Sequence, residues 1–413
     1  MKKTLKGIAG FLGAVVLLLA AAALYMQVSG LPRYEKPTLQ LKVEATPERV
    51  ARGKRLAQML CVNCHFDPTT RVLSGKRMVE APPEFGVIYS ANITRHLTHG
   101  IASWTDGEIA YLLRTGIRRD GRYVPPYMVK LPHASDEDIL SIIAFLRSDD
   151  PLVAPADVAT HVPEESFLTR VLARVAFKPF TYPTTPMSGP DAKDPVALGR
   201  YLADGLLDCY SCHSADFKTN NYFEPSKSPG YYGGGNMLLD ASARQVYSAN
   251  VTPDKETGIG SWTEAQFLRA VKGAFRPDGT PVLYPMQPYV EMTDEEARAV
   301  FAYLKTVPAI RKTRPARQAI VVDASEGQGK QVFYKYSCNS CHGDTGVGLY
   351  DLRRAWKKYP TDEELIAYIK DPSAKVPGIK MPTWEGTIEE AEYAPLITYV
   401  KTLQVRTETA PAR

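Results

Sequence analysis

Six cysteines and three histidines stand in one arrangement used three times: Cys61-Val-Asn-Cys64-His65, Cys209-Tyr-Ser-Cys212-His213 and Cys338-Asn-Ser-Cys341-His342. No cysteine is left over. Two thiols three positions apart on a turn entering a helix can each form a thioether to a vinyl group of haem. The histidine that follows then offers a neutral imidazole nitrogen to the iron. This is the c-type haem attachment pattern. A redox dithiol, a zinc site or a disulfide pair would each leave the histidines without a role. A dithiol also wants a βαβ context, and zinc wants two knuckles close together. The expectation is three covalently bound haem c groups, held by Cys61, Cys64, Cys209, Cys212, Cys338 and Cys341, with His65, His213 and His342 as iron ligands.

The sixth iron ligand follows from an internal repeat at a separation of 158 residues. Tyr89-Ser-Ala-Asn-Ile-Thr94 faces Tyr247-Ser-Ala-Asn-Val-Thr252, Gly100-Ile-Ala-Ser-Trp-Thr105 faces Gly258-Ile-Gly-Ser-Trp-Thr263, and Asp120-Gly121 faces Asp278-Gly279. The same register sets Met128 opposite Met286, each in a proline-flanked loop that stiffens the backbone around the sulfur. After Cys341 the single methionine is Met381, in Lys380-Met381-Pro382. A methionine taken alone is more often a packing residue. Register selects Met128, Met286 and Met381 and leaves Met78, Met237 and Met292 as core or surface residues. His96, His99, His133 and His161 lack partners at the repeat spacing and read as polar surface, with His133 the one alternative ligand. The haem motifs themselves lie only 148 apart, so the second copy holds ten extra residues, near Pro229 to Asn236, expected as a surface loop.

These groups need helices to position them. Each motif follows a helical stretch with a glycine: Gly53-Lys-Arg-Leu56, Gly199-Arg-Tyr-Leu202 and Gly329-Lys-Gln-Val-Phe333. Amphipathic helices are expected at Ser135 to Arg147, Thr293 to Lys305 and Thr387 to Thr402, their ends Phe145-Leu146, Tyr303-Leu304 and Tyr399-Val400 packing on those glycines. The predicted fold is all-α, with three class I cytochrome c-like domains in tandem after an N-terminal hydrophobic helix. The expected division is a signal or anchor segment over 1–32 and domains over 45–150, 191–308 and 324–405. A proline-rich linker spans 151–190 and a shorter one 309–323, the latter bearing Arg311, Lys312, Arg314 and Arg317. The first linker holds an amphipathic stretch, Glu164 to Phe177, suited to packing between domains or to lying on a partner or membrane surface.

The chain's length of 413 residues suits several domains. Its formal charge of +5 includes Lys2, Lys3 and Lys6, so the remainder is near neutral and makes no case for nucleic acid. From Gly7 to Pro32 no charge appears, and Ile8 to Met26 is apolar apart from Gly10 and Gly13. That run is a retained anchor over residues 8–26 or an export signal cleaved near Ala20 to Ala23, and in both cases the bulk leaves the cytoplasm. No paired carboxylates or activated nucleophile suggest catalysis by the chain itself.

The three motifs, the Tyr-x-x-Asn-[Ile/Val]-Thr signature and the Gly-Ile-x-x-Trp-Thr run resemble the trihaem cytochrome c subunits of periplasmic membrane-bound alcohol and gluconate dehydrogenases, best from Glu48 to Thr306. The last third resembles class I cytochromes c through Cys338 to His342, Gly343 and Met381-Pro382. One departure lies at Arg95-His96-Leu-Thr-His99, where the second copy has the more family-like Pro253-Asp254-Lys-Glu-Thr257. The resemblance implies an electron relay from a membrane-bound or periplasmic dehydrogenase partner towards a quinone or an oxidase, at the periplasmic face of the bacterial inner membrane. It also implies proximal His65, His213 and His342 with distal Met128, Met286 and Met381. Three other readings stay open: a membrane-anchored donor to a terminal oxidase or reductase, a haem enzyme such as a peroxidase, which needs an open sixth position, and a haem-free structural protein.

Overall fold

A computed structural model describes residues 2–242, 244–315, 322–346, 351–352, 355–376, 379 and 381–408. The chain is mostly helical. Arg317 of the second linker and Lys380 beside Met381 lie outside the described residues.

Each haem motif follows a helix. Pro47–Leu60 begins on Thr46, whose hydroxyl accepts from Arg49 N, with Pro47 at the first helical position where its missing N–H costs nothing. Pro195–Arg200 begins likewise on Asp194, and the third helix is Gln328–Lys335. Each pairs with a later helix: Asp136–Arg147, Asp294–Leu304 and Glu390–Glu408. Ser135 and Thr293 cap the first two, as their Ser/Thr-Asp-Glu starts predicted. The third starts at Glu390 and not at Thr387, because Thr387 and Ile388 close a turn on the Trp384 carbonyl.

Glycine makes these crossings possible. A Cβ at Gly53 would stand 2.9 Å from Phe145 Cβ, at Gly199 2.7 Å from Tyr303 Cβ and at Gly329 2.7 Å from Tyr399 Cβ, and each would collide with a backbone carbonyl of the facing helix. The expected packing of Phe145, Tyr303 and Tyr399 on the three glycines is therefore observed.

The repeat extends to hydrogen-bond detail. Helices Asp106–Thr115 and Glu264–Gly273 each start in a reciprocal capping box, Thr105 with Glu108 and Thr263 with Gln266. Among the described residues two short antiparallel ladders complete the architecture. Gly86–Val87 pairs with Glu164–Glu165, pinning the linker back on the first copy, and Met237–Leu239 pairs with Gln245–Tyr247. Buried apolar residues of both copies form one continuous cluster, from Leu56 and Phe145 to Leu206 and Phe301. A second cluster gathers Phe333, Leu365, Trp384, Tyr393 and Ile397 around Phe275, which the second copy supplies. Phe275 meets Trp384 edge to face at 5.3 Å.

The expected surface loop near Pro229 to Asn236 turns inward instead, with 231–234 and Asn236 buried and Pro229 exposed. Tyr231 and Tyr232 lie inside, because Asp204 provides an interior acceptor for their hydroxyls. Asp204 belongs to a π-helical turn, Tyr201–Leu206, that takes up surplus residues: Gly199 precedes Cys209 by ten positions, whereas Gly53 precedes Cys61 by eight.

Candidate haem-binding site

The three motifs occupy short helical turns, Val62–His65, Cys209–His213 and Asn339–His342. All six cysteines are free thiols. Burial pushes Cys61, Cys64, Cys212 and Cys338 up to about 12 and raises Cys209 and Cys341 as well. A low-pKa thiolate, the mark of a redox dithiol, is not what these surroundings favour.

The two repeated histidines are oriented alike. His65 Nδ1 lies 2.7 Å from the Ala91 carbonyl oxygen, and His213 Nδ1 lies 2.8 Å from that of Ala249. A carbonyl only accepts, so each Nδ1 carries the proton and each Nε2 keeps its lone pair for a metal. Burial lowers the pKa of both rings and so favours the neutral imidazole that ligation requires.

These geometries give the repeated Tyr-Ser-Ala-Asn-[Ile/Val]-Thr signature a physical meaning. Its alanine supplies the carbonyl that orients the ring. Its asparagine then locks the turn: Asn92 Oδ1 accepts from Thr94 N at 3.0 Å and Thr94 Oγ1 at 2.6 Å, and Asn250 does the same for Thr252 at 3.0 and 2.7 Å. The asparagine amides reach onward to the following linkers, at Val158 O and Ile310 O. Sequence comparison found the signature, but its role as a support for the histidines emerges only in three dimensions.

The methionine loops lie at the junctions. Met128 shares a cleft with Tyr123, Lys130 and His133 of its own copy and with Asp208, Tyr210 and Tyr222 of the second, beside Cys209. His133 thus borders the Met128 cleft, whereas His96 and His99 stack on each other at 5.3 Å facing Asp157, and His161 lies against Tyr89. The loop after Met286 carries Tyr289, whose hydroxyl burial drives well above its usual range, with Cys209, Cys212 and Cys64 adding to the rise. Tyr289, three residues after Met286, thus feels thiols of both the second and the first motif. Met381 packs on the second core cluster, while Met292 is fully buried as a packing residue.

The last motif abuts the second copy through Arg244, which pairs with Asp344 at 3.1 Å, and through Ala241 N, which donates to Ser340 O at 3.3 Å.

A second group, missed in the sequence, surrounds Asp204. Tyr232 donates to Oδ1 at 2.7 Å, Tyr303 to Oδ2 at 2.8 Å and Tyr231 to Oδ2 at 2.6 Å. The same carboxylate adds to the rise of the Cys209 pKa. The signal available in advance was the surplus between Gly199 and Cys209.

Paired, partly buried thiols, a neutral imidazole with one nitrogen committed to a carbonyl, and a thioether loop form a donor set that fits haem c. Comparison with known proteins agrees. Residues 196–308 match the family model for cytochrome c, and residues 324–400 match that for cytochrome C oxidase, cbb3-type, subunit III. The cytochrome c subunit of alcohol dehydrogenase (quinone) from Gluconobacter oxydans (strain 621H) is 26% identical over 389 residues, covering 87% of this chain and 79% of that protein. The fructose dehydrogenase cytochrome subunit of Gluconobacter japonicus is 26% identical, covering 76% and 68%. The gluconate 2-dehydrogenase cytochrome c subunit of Pantoea cypripedii is 26% identical, covering 87% and 86%. Homologues of this chain are thus cytochrome subunits of dehydrogenases, and its cytochrome c domains imply covalently bound haem c.

Proposed function

We propose that the chain is an electron-relay subunit with three haem c groups, receiving electrons from a dehydrogenase partner and passing them towards a quinone or an oxidase. The observation that carries this reading is the matched pair of histidines, each following two partly buried cysteines and each held through Nδ1 by a backbone carbonyl. When bound, haem c supplies an iron that exchanges single electrons between ferric and ferrous states. In this reading Cys61 with Cys64, Cys209 with Cys212 and Cys338 with Cys341 form the thioethers. His65, His213 and His342 are the proximal ligands, and Met128, Met286 and Met381 the distal ones. Methionine at all three sixth positions disfavours a peroxidase-like open site.

The chain's own contribution is burial and orientation. Alanine carbonyls set the imidazole rings, the Asn92 and Asn250 turns hold those carbonyls, and the glycine crossings keep the helices before each motif against their partners. Three domains over 45–150, 191–308 and 324–405 would carry one group each. Lys6–Ser29 is a helix of 24 residues with mean hydropathy 2.5 and none of that stretch buried, long and apolar enough to cross a membrane. We assign it as an anchor, over residues 8–26, at the periplasmic face of the inner membrane.

A pyridine haemochrome count with a redox-difference spectrum on protein matured in a haem-ligating periplasm tests the reading. Three covalent haems with a methionine-to-iron charge-transfer band are expected. A count below three, or a high-spin oxidised spectrum, overturns the uniform His/Met scheme.

A further inference from the structure

The linker helix Phe167–Val175 is built inside out. At about 100° per residue, Phe167, Leu168, Val171 and Val175 share one arc, and Thr169 and Ala173 stand nearly opposite. A helix serving as core filler would turn the apolar arc inward. Here Thr169 and Ala173 are both 0% exposed, while Phe167 is 45% and Val175 68% exposed. The inward contacts are polar: Thr169 Oγ1 donates to Phe85 O at 2.8 Å and Ser166 Oγ to Glu84 O at 2.5 Å. The helix is therefore fastened to the first copy by its small polar side and presents its greasy side outward.

Its position says what covers that side. Arg170 donates to Gln27 O at 2.7 Å, and Arg174 to Gly30 O and Ser29 Oγ, both at 2.6 Å. These acceptors cluster at the C-terminal end of the Lys2–Ser29 helix, with Gly30 the residue just after it, where backbone carbonyls lack helical partners and cations are favoured. Arg174 also lies over the Tyr25 ring at 5.9 Å. A span of the length of Lys6–Ser29 rises about 36 Å, against roughly 30 Å of bilayer hydrocarbon, so its end reaches the headgroup level where tyrosine and arginine settle.

We propose that Phe167–Val175 lies flat in the outer leaflet of the bilayer, its Phe167, Leu168, Val171 and Val175 side chains in the acyl boundary and Arg170 and Arg174 among the headgroups. Together with the segment after the span, which Tyr34 N and Val43 N fasten to Gly121 O and Asp106 Oδ2, both at 2.9 Å, the helix then fixes the height and tilt of the first copy over the membrane by a second point of contact. The occupant is lipid because this arc adjoins the end of an apolar helix that is itself exposed along its length. The proposal rests on the anchor reading above.

Spin-label accessibility on the full-length holoprotein in phosphatidylethanolamine/phosphatidylglycerol vesicles tests it. Single variants V175C, L18C and D191C are labelled, with the parent protein as the blank. The collision ratio of oxygen to an aqueous nickel chelate is expected to be several-fold higher at 175 than at the exposed control 191, in the same direction as at 18. A lipid-like value at 18 with a water-like value at 175 overturns the interfacial helix and leaves the anchor standing. A water-like value at 18 overturns the anchor and this proposal with it. Shielding of 175 from both reagents shows a protein contact, such as a second copy, and overturns the lipid assignment.

Discussion

His213 Nδ1 donates to the carbonyl oxygen of Ala249 at 2.8 Å, and the residue after that alanine, Asn250, ties the turn to the buried Thr252. Ring orientation thus depends on a side chain that never touches the ring. Replacing Asn250 with Ala removes the acceptor of Thr252 N, leaves Thr252 Oγ1 with only the longer bond to Ile310 O at 3.4 Å, and is expected to cost about 2–3 kcal/mol of stability. Denaturant unfolding of the purified holoprotein checks this, and an unchanged midpoint would sink the idea that the signature is a histidine support.

Gly199→Ala is expected to prevent the helix crossing, because its Cβ would collide with the Ala299 carbonyl and come within 2.7 Å of Tyr303 Cβ. A loss of more than about 3 kcal/mol follows from overpacking against a rigid backbone. Gly273→Ala serves as the control, since its nearest neighbour is the flexible Arg269 side chain at 3.9 Å. That change in a helix should be neutral or stabilising by up to about 1 kcal/mol. Yields of soluble haem-loaded protein for the two variants should diverge accordingly.

Asp204→Asn removes a negative charge that three tyrosine hydroxyls surround. An amide offers one acceptor oxygen where the carboxylate has two, so at least one hydroxyl loses its partner, at about 1–3 kcal/mol. The charge also favours an oxidised, more positive iron nearby, so the variant should raise one midpoint potential. Potentiometric titration giving identical potentials in both proteins would show that the cluster is structural alone.

The bidentate pair of Arg49 with Glu137, both bonds 2.9 Å, joins helix Pro47–Leu60 to helix Asp136–Arg147. The hydrogen bond to Arg49 holds the Glu137 carboxyl below its usual range. A carboxylate whose folded pKa is depressed stabilises the fold above the unfolded value, near 4.3, and loses that contribution as pH falls through the folded pKa. Because Glu137 is half exposed, the effect is expected to be no more than about 1 kcal/mol. Glu137→Gln should therefore lower thermal stability at pH 7 and match the parent at pH 3; equal melting at both values would refute the assignment.

Much of the architecture was legible in advance because the relevant forces are local. Ser135 and Thr293 announced helix starts, Gly53, Gly199 and Gly329 marked close crossings, and the 158-residue register exposed the duplicated turns. The tyrosine-rich insertion was misread. Tyr and Gly near a proline look like loop chemistry, and only Asp204, brought in by a π turn some thirty residues earlier, makes an interior place for Tyr231 and Tyr232.

The sequence alone determined that two thiols and an imidazole stand within five consecutive residues, three times over, the proximity that covalent haem ligation would need, because chain connectivity guarantees it. Tertiary structure decided what connectivity cannot: the carbonyls of Ala91 and Ala249 that choose the imidazole tautomer, 26 and 36 residues from their histidines. It also turned the apolar arc of Phe167–Val175 outward. Amphipathicity shows that a helix has two faces, but only packing against Phe85 and the end of the Lys2–Ser29 helix selects which face is buried.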